Sequence, residues 1–253
     1  MEHGSYAQTN LQLLNQLRAA GWSPTDVVLV HNAYEWALPL FSAQFRPSGK
    51  PFLAHLVGTA SILACHGARP EVVAAGMVHA SYAQGDWGDG SGGARTTDRS
   101  TALHAALGSG VEDLVSRYTA LRWNPESVAR IRGQAADLAP ADADVVLMRL
   151  ANLLEDYLDL GMAYCDKGKK TTHDQVVLDD AVGLARGLGA PALADELRQA
   201  VDRNAEVDLP PHLRRRASSS ATVAPRSHRL RPRLAARDRA RAARRRLANV
   251  LGR

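Results

Sequence analysis

The sequence predicts an all-α fold, and three observations carry that prediction. Alanine and leucine are abundant in the 253 residues whereas aromatic residues make up 5%, a balance that favours helices packed through small and aliphatic side chains over a β-sandwich. Apolar residues recur at helical spacing through most segments, and no alternating apolar and polar pattern bounded by turn signals appears. Capping residues and prolines separate these segments in the manner of helix boundaries.

The helices are predicted in chain order from capping residues and from the glycine and proline residues that separate helical segments. The first two begin at Thr9 or Asn10 and at Ser23, the second with a proline in its first turn, where the missing N–H is tolerated. A turn by composition at 46–51 precedes the third helix, and a Gly-Ala-Arg-Pro segment at 67–70 separates the third from the fourth. The predicted helices cover about 10–21, 24–41, 52–66, 70–83, 100–108, 110–122, 125–136, 141–163, 174–187 and 190–205.

A glycine-rich loop over 84–99 follows the fourth helix directly. A loop of that length is expected to be mobile or to form a lid over a site. It lacks the lysine and the strand–loop–helix context of a phosphate-binding loop, so that interpretation is rejected. The strongest helical pattern follows at 141–163, where the apolar residues lie mostly on one side.

The charge distribution divides the chain into two parts. Residues 209–253 carry fourteen arginines and a single acid, Asp238, a net charge of +13, while residues 1–208 carry −8. Few apolar residues accompany the arginines, so the segment cannot offset its ordering entropy. We therefore predict a helical domain over 9–205 and a disordered basic tail over 206–253. The tail is a candidate for nucleic-acid binding through counterion release, or a solvated extension without a ligand.

The cysteine content and the hydropathy of the sequence indicate the compartment in which the protein acts. Cys65 and Cys165 are the two cysteines, too few for a disulfide framework, which favours a reducing cytoplasm. No apolar run approaches the roughly 20 residues that a membrane span needs. The sequence therefore predicts a soluble cytoplasmic protein without a membrane partner.

Two histidines 24 residues apart, His55 and His79, each lie inside an apolar helical stretch. Facing helices that each present an imidazole can hold a metal ion or contact a phosphate. The alternative is a pair of buried core histidines hydrogen-bonded to neighbouring groups. The first interpretation requires the two imidazoles to converge in a shared cavity between neighbouring helices.

The 141–163 helix carries four polar residues three or four positions apart, Asn152, Glu155, Asp156 and Asp159. Residues at that spacing share a helix face, so several can point toward the histidines. A solvated helix face is the alternative. The three segments Arg46-Pro-Ser-Gly-Lys-Pro-Phe-Leu-Ala-His, Val-Ala-Ala-Gly-Met-Val-His and Leu-Ala-Asn-Leu-Leu occur in that order along the chain.

These segments resemble the hydrolase (HD) domain of the bifunctional RelA/SpoT alarmone enzymes and, more broadly, the HD superfamily of metal-dependent phosphohydrolases. The resemblance covers about 24–165 and implies an HD-type multi-helix bundle. It also implies a divalent cation, usually manganese, held by two histidines and two aspartates. By position His55 and His79 match the metal-binding histidines, Asn152 falls on the last metal aspartate and Asp156 on an asparagine one turn later. These four residues are the candidate metal ligands.

The sequence departs from the family pattern at its acidic residues. Ala80 stands where the aspartate beside the second histidine is expected, and Ala83 and Gln84 replace the acidic pair that activates water. Hard divalent cations prefer several anionic oxygens, and metal-assisted hydrolysis relies on the cation to lower the pKa of bound water. The sequence therefore predicts a phosphohydrolase-like protein with a degenerate metal site, and it assigns no catalytic residue.

The turn before His55 supplies the candidate ligand-binding residues. Arg46 and Ser48 match family residues that help to hold the nucleotide base, and with Lys50 they form a cationic turn at a helix start, which favours phosphate. The alternative is that all three simply build the turn. The predicted ligand is a nucleotide or another phosphorylated small molecule. A catalytically inactive ligand-binding or scaffold protein and a nucleic-acid-associated protein are the alternative functions.

The chain is also similar to an uncharacterised family of HD-like bacterial proteins with matching segments around these histidines. That resemblance implies that the altered site is a property of the family. It also makes Tyr82 a candidate for a chemistry of its own.

Overall fold

A computed structural model describes residues 6–88, 93–165, 172–214 and 221–223. Within these residues the chain is an all-α helical bundle, which confirms the predicted fold class. Two strands of two residues each, β1 (Gln44–Phe45) and β2 (Ala221–Thr222), are also present. The α-helices are α1 (Asn10–Ala19), α2 (Pro24–Phe41), α3 (Phe52–Cys65), α4 (Pro70–Val78), α5 (Ser81–Gln84), α6 (Thr97–Leu107), α7 (Ser109–Ala120), α8 (Pro125–Gly133), α9 (Pro140–Tyr157), α10 (Thr172–Gly187) and α11 (Pro191–Glu206).

The chain divides into two compact units, Met1–Ala221 and Thr222–Arg253. The helices α1 to α11 all belong to the first unit. Most of the arginine-rich tail, residues 215–220 and 224–253, lies outside the described residues. The predicted domain boundary after residue 205, the disorder of the tail and its binding to nucleic acid therefore stay predictions. Among the described helices, none has the length and apolar character that crossing a bilayer requires.

Helix α3 lies at the centre of the bundle and contacts α1, α2, α4 and α9. Every residue from His55 to Leu63 is buried, and a helix that is buried on all sides needs no polar face. Helix α4 packs between α2, α3 and α7, while α9 packs against α3, α7 and α11. Buried polar side chains of α3 (His55), of α9 (Asn152 and Glu155) and of His79, the residue after α4, therefore meet inside the bundle, where hydrogen bonds must satisfy them.

The segment between β1 and α3 is a tight turn. The Arg46 N–H donates to the Lys50 carbonyl at 2.8 Å, and the Gly49 N–H donates to the Arg46 carbonyl at 2.8 Å. Gly49 has a φ of +95°, a conformation that is strained for any residue with a Cβ. The turn leads into α3, whose first residue, Phe52, stacks on Phe41 at 4.7 Å between ring centroids.

The prediction of one continuous helix over 70–83 is wrong, because this segment forms two helices. Helix α4 ends at Val78, and the short α5 begins at Ser81. The imidazole Nδ1 of His79 donates to the carbonyl of Gly76 at 2.7 Å. This side-chain bond satisfies a terminal carbonyl that no further turn of the helix can reach. His79 is therefore a helix-terminal residue.

The predicted helix over 141–163 also ends early. Helix α9 stops at Tyr157, and a short 3₁₀ turn, Leu158–Leu160, follows. Asp159 and Leu160 have φ values of +52° and +59°, which an α-helix cannot contain. The apolar periodicity at 158–163 belongs to an irregular segment beside the site.

Candidate functional site

The two histidines lie together in the interior of the bundle. Their ring centroids are 5.6 Å apart, with the ring planes at 69°. His55 on α3 is fully buried, and His79 at the end of α4 is 5% exposed. The ring of Tyr118 on α7 also packs edge-on against the His79 ring, with 4.9 Å between centroids. Packing of α4 between α3 and α7 thus brings three polar rings into one cluster.

Asn152 of α9 lies between the two imidazoles. Its amide nitrogen is 2.9 Å from His55 Nε2 and 3.5 Å from His79 Nε2. Its amide oxygen accepts from Arg149 Nη1 at 2.9 Å and from the Tyr118 hydroxyl at 3.2 Å. The side chain is 3% exposed and has a partner for each of its polar atoms, as a buried amide requires.

The two carboxylates that follow on α9 form ion pairs with the 46–50 turn. Glu155 accepts from both Lys50 Nζ and His55 Nδ1, and its side chain is 1% exposed. Asp156 pairs with the Arg46 guanidinium, at 24% exposure. One carboxylate oxygen of Glu155 accepts from the 46–50 turn and the other accepts from α3. Glu155 therefore links the cationic turn to the histidine pair.

Burial controls the ionisation of this cluster. Together with the nearby His55, Arg46 and Arg149, burial lowers the pKa of His79 to about 3, although the hydrogen bond to the Gly76 carbonyl acts in the opposite direction. Burial acts in the opposite direction on Asp156, but His55 and Arg46 outweigh it and hold the pKa of that carboxyl below its usual value. His79 is therefore neutral and Asp156 ionised near neutral pH.

A cavity of about 420 Å³ opens above His79 and Asn152. Two arginines, Arg46 and Arg149, and one carboxylate, Asp156, supply its charged groups. The Arg149 guanidinium lies 5.3 Å from the centre of the Trp123 ring, on the cavity wall. The excess of positive charge makes the cavity suited to an anionic ligand.

A second cavity of about 170 Å³ is also lined by the Arg46–Asp156 pair. Ser48, Lys50 and Tyr164 contribute to its wall, and Arg46 and Asp156 line both cavities. The ion pair is thus shared between the two spaces.

The Glu155 side chain occupies the space that a side chain at position 58 would fill, and Gly58 leaves that space open. A Cβ at position 58 would lie 2.8 Å from both Cγ and Oε1 of Glu155, closer than packed atoms tolerate. We expect Gly58→Ala to lower the free energy of unfolding by about 1–3 kcal/mol, the usual cost of overpacking. Gly110→Ala is the matched helical control, because nothing lies within 4 Å of its Cβ; its expected effect is a gain of about 0.5–1 kcal/mol. Equal effects in chemical denaturation would contradict the assigned contact.

The cation that the family resemblance implies does not fit this donor set. His55, Glu155 and Asp156 offer ligand atoms within 4.8 Å of one another, but both carboxylates are already paired, with Lys50 and Arg46. The two Nε2 atoms face an amide nitrogen, which has no lone pair to share with a cation. A hard divalent cation needs unpaired anionic oxygens, which this cluster does not present.

The structure brings together most of the residues singled out in the sequence. Of the candidate metal ligands, His55, His79 and Asn152 share one point, whereas Asp156 lies on the opposite side of His55, with 3.8 Å between its Oδ1 and His55 Nδ1. Of the candidate ligand-binding residues, Arg46 lines both cavities and Ser48 and Lys50 line the smaller one. Tyr82 does not line either described cavity; its buried hydroxyl donates to Glu112 at 2.8 Å.

Sequence reasoning missed Arg149, Tyr118 and Trp123. Arg149 lies three residues before Asn152, so helical spacing contained the signal that both share a face of α9. Tyr118 and Trp123 reach the site from α7 and the segment after it. Nothing in their local sequence indicates that contact.

Comparisons with known proteins agree with the sequence motifs. A family model described as a domain of unknown function (DUF6817) matches residues 40–122, which contain both histidines. The probable GTP diphosphokinase RSH3, chloroplastic, of Oryza sativa subsp. japonica is 33% identical over 164 residues. The match covers 61% of this chain but only 21% of the rice protein's length.

A solved structure of a metazoan orthologue of SpoT, described as hydrolysing ppGpp and acting in starvation responses, is 18% identical with a TM-score of 0.47. The match covers 71% of this chain and 97% of that one. The resemblance to the HD domain of RelA/SpoT enzymes that the motifs predict is confirmed.

Proposed function

We propose that the protein binds a nucleotide or another phosphorylated small molecule in the 420 Å³ cavity of its HD-like domain. The observation that carries the proposal is the pair of arginines, Arg46 and Arg149, on a cavity wall that holds one carboxylate. Guanidinium groups bind phosphate oxygens through paired hydrogen bonds. The volume lies within the range of about 300–1,000 Å³ that is common for small-molecule sites.

The second cavity supports a nucleotide over a simple phosphate. Arg46 and Asp156 form the boundary between the two spaces, so a ligand that contacts both needs two polar ends. Ser48 and Lys50 offer a hydroxyl and an ammonium group on the side of the smaller cavity. In the family that the chain resembles, residues matching Arg46 and Ser48 help to hold the base.

The ion pairs favour binding without hydrolysis. A water nucleophile needs a carboxylate that is free to accept its proton, whereas Glu155 and Asp156 are paired with Lys50 and Arg46. Hydrolysis is the second candidate function, and the proximity of His55, Glu155 and Asp156 within 4.8 Å favours it. Release of inorganic phosphate or pyrophosphate from the bound nucleotide, with and without Mn²⁺, separates the two functions.

Loss of one cavity arginine tests the binding proposal. We expect Arg149→Met to weaken binding of a nucleoside diphosphate by about 10- to 100-fold, because a charge-assisted hydrogen bond is worth about 1.5–3 kcal/mol. Isothermal titration calorimetry with guanosine and adenosine diphosphates and inorganic pyrophosphate measures the affinity directly. The dissociation constants should also rise with ionic strength.

Arg117→Met is the matched control, because Arg117 lies on the surface of α7 and pairs with Asp113 and Asp142 there. Its expected effect on nucleotide affinity is below about twofold, as for other exposed ion pairs. If none of the three probes binds the wild-type protein, or if the two variants bind equally well, the cavity is not a phosphate site.

A further inference from the structure

The hydrogen bonds around the histidine pair define which nitrogen of each ring carries a proton. The Gly76 carbonyl can only accept, so His79 Nδ1 is the donor and its Nε2 keeps a lone pair. The Glu155 carboxylate, held by Lys50, likewise accepts from His55 Nδ1. In their neutral forms both rings direct an Nε2 lone pair toward the same point. In a histidine-ligated metal centre, such lone pairs bind the cation.

The carboxamide of Asn152 occupies that point with a fixed orientation. Arg149 has donors only, so the atom 2.9 Å from its Nη1 must be the amide oxygen. The Tyr118 hydroxyl, 3.2 Å away, donates to the same oxygen. The NH₂ group then faces the histidines and offers one hydrogen to each Nε2, at 2.9 and 3.5 Å. The reverse orientation would place the NH₂ against a guanidinium that has no acceptor.

We propose that the Asn152 carboxamide takes the place of a divalent cation and makes this histidine centre metal-free. The NH₂ group supplies the two hydrogen bonds that satisfy the imidazoles, so neither ring needs a metal. The amide oxygen, the one atom of Asn152 that could ligate a cation, points toward the positive charge of Arg149. This inference does not depend on which ligand the cavity binds.

The charged side chains around the centre also disfavour a divalent cation. Three cationic side chains, Arg46, Lys50 and Arg149, lie around the centre, and the carboxylates of Glu155 and Asp156 neutralise two of them. A divalent cation between the rings would add two charges without displacing any of these groups. Its Coulomb repulsion from Arg149 is large at low dielectric.

Direct metal titration of the full-length wild-type protein is the first test. We expect no saturable binding of Mn²⁺ or Zn²⁺ at the histidines up to about 1 mM, the weak limit for protein cation sites, in electron paramagnetic resonance and calorimetry respectively. The melting temperature should not change with a chelator. One equivalent of either ion, bound in the wild type and lost in His55→Ala and His79→Ala, would overturn the proposal.

Restoring a carboxylate is the second test. Asn152→Asp removes the NH₂ group and supplies an anionic oxygen between the rings, so we expect Mn²⁺ affinity to rise by at least about 100-fold. Asn204→Asp is the matched control: Asn204 is also a buried carboxamide, 8% exposed, but bonds to the Tyr157 and Ala200 carbonyls, away from the histidines. A folded Asn152→Asp protein that binds no more Mn²⁺ than the wild type contradicts the role assigned to the amide.

If the aspartate of Asn152→Asp prevents folding, Asn152→Ala provides an alternative test. It frees both Nε2 lone pairs, and we expect Co²⁺ to bind there with the visible absorption of a histidine-ligated ion. Absence of that absorption in the folded variant overturns the proposal. None of these measurements uses a nucleotide, so their failure is distinguishable from failure of the proposed ligand binding.

Discussion

Replacement of Glu155 by alanine is expected to lower the free energy of unfolding by about 3–5 kcal/mol, the range found when one partner of a buried ion pair is removed. The Glu155 side chain is 1% exposed and accepts from both Lys50 and His55. Its loss leaves the Lys50 ammonium, 18% exposed, with Asp159 at 3.6 Å as its remaining ion-pair partner among the described residues. It also removes the hydrogen-bond acceptor of His55 Nδ1, whose next carboxylate oxygen, Asp156 Oδ1, is 3.8 Å away. Urea denaturation followed by circular dichroism measures the effect.

Two comparisons separate this effect from ordinary side-chain truncation. Asp113→Ala removes a carboxylate from an exposed pair with Arg117, for which a loss below about 1 kcal/mol is expected. Glu155→Ala combined with Lys50→Met removes both charges, so the double variant should be more stable than Glu155→Ala alone. If Glu155→Ala costs no more than Asp113→Ala, the pair does not stabilise the site.

Acidification is expected to destabilise the protein through His79. Its pKa is about 3 in the folded protein and about 6.5 in an unfolded chain. Below pH 6.5 the unfolded state therefore binds a proton that the folded state does not, and the free energy of unfolding falls with pH until about pH 3. The contribution of His79 over that window is on the order of 4 kcal/mol. Above pH 6.5 it is constant.

His79→Gln isolates this contribution, because glutamine keeps a polar side chain but does not titrate. The relevant quantity is the difference in stability between pH 7 and pH 4, measured for both proteins by urea denaturation. The wild type should lose more stability than the variant over that interval, whatever the stability of the variant at pH 7. Parallel curves would show that His79 titrates normally in the folded protein.

Local sequence was sufficient for most of the helical architecture. The caps at Thr9 and Ser23, and the proline that begins α4, predict helix starts that the structure has to within a residue or two. The helix ends after Val78 and Tyr157 were not predicted. These ends depend on a side-chain hydrogen bond to Gly76 and on left-handed residues after α9, and neither leaves a periodic signal.

Motif order along the chain predicted that His55, His79 and Asn152 belong to one site, because three helix segments matched a known pattern in sequence. What that site can bind depends on the tertiary structure. The orientation of the Asn152 amide is fixed by Tyr118 on another helix as well as by Arg149. A carboxamide offers a donor or an acceptor on rotation by half a turn, so residue identity alone does not distinguish a metal ligand from a substitute for the metal.

The amino-acid sequence by itself determined an all-α chain, the helices that carry the polar residues and the missing acids at Ala80 and Asn152. Only the tertiary structure decided that Lys50 and Arg46 pair with Glu155 and Asp156, and that the two imidazoles face an amide. The physical reason is the range of the interactions. Helix propensity and capping act over a few residues, whereas the ion pairs join residues about a hundred positions apart.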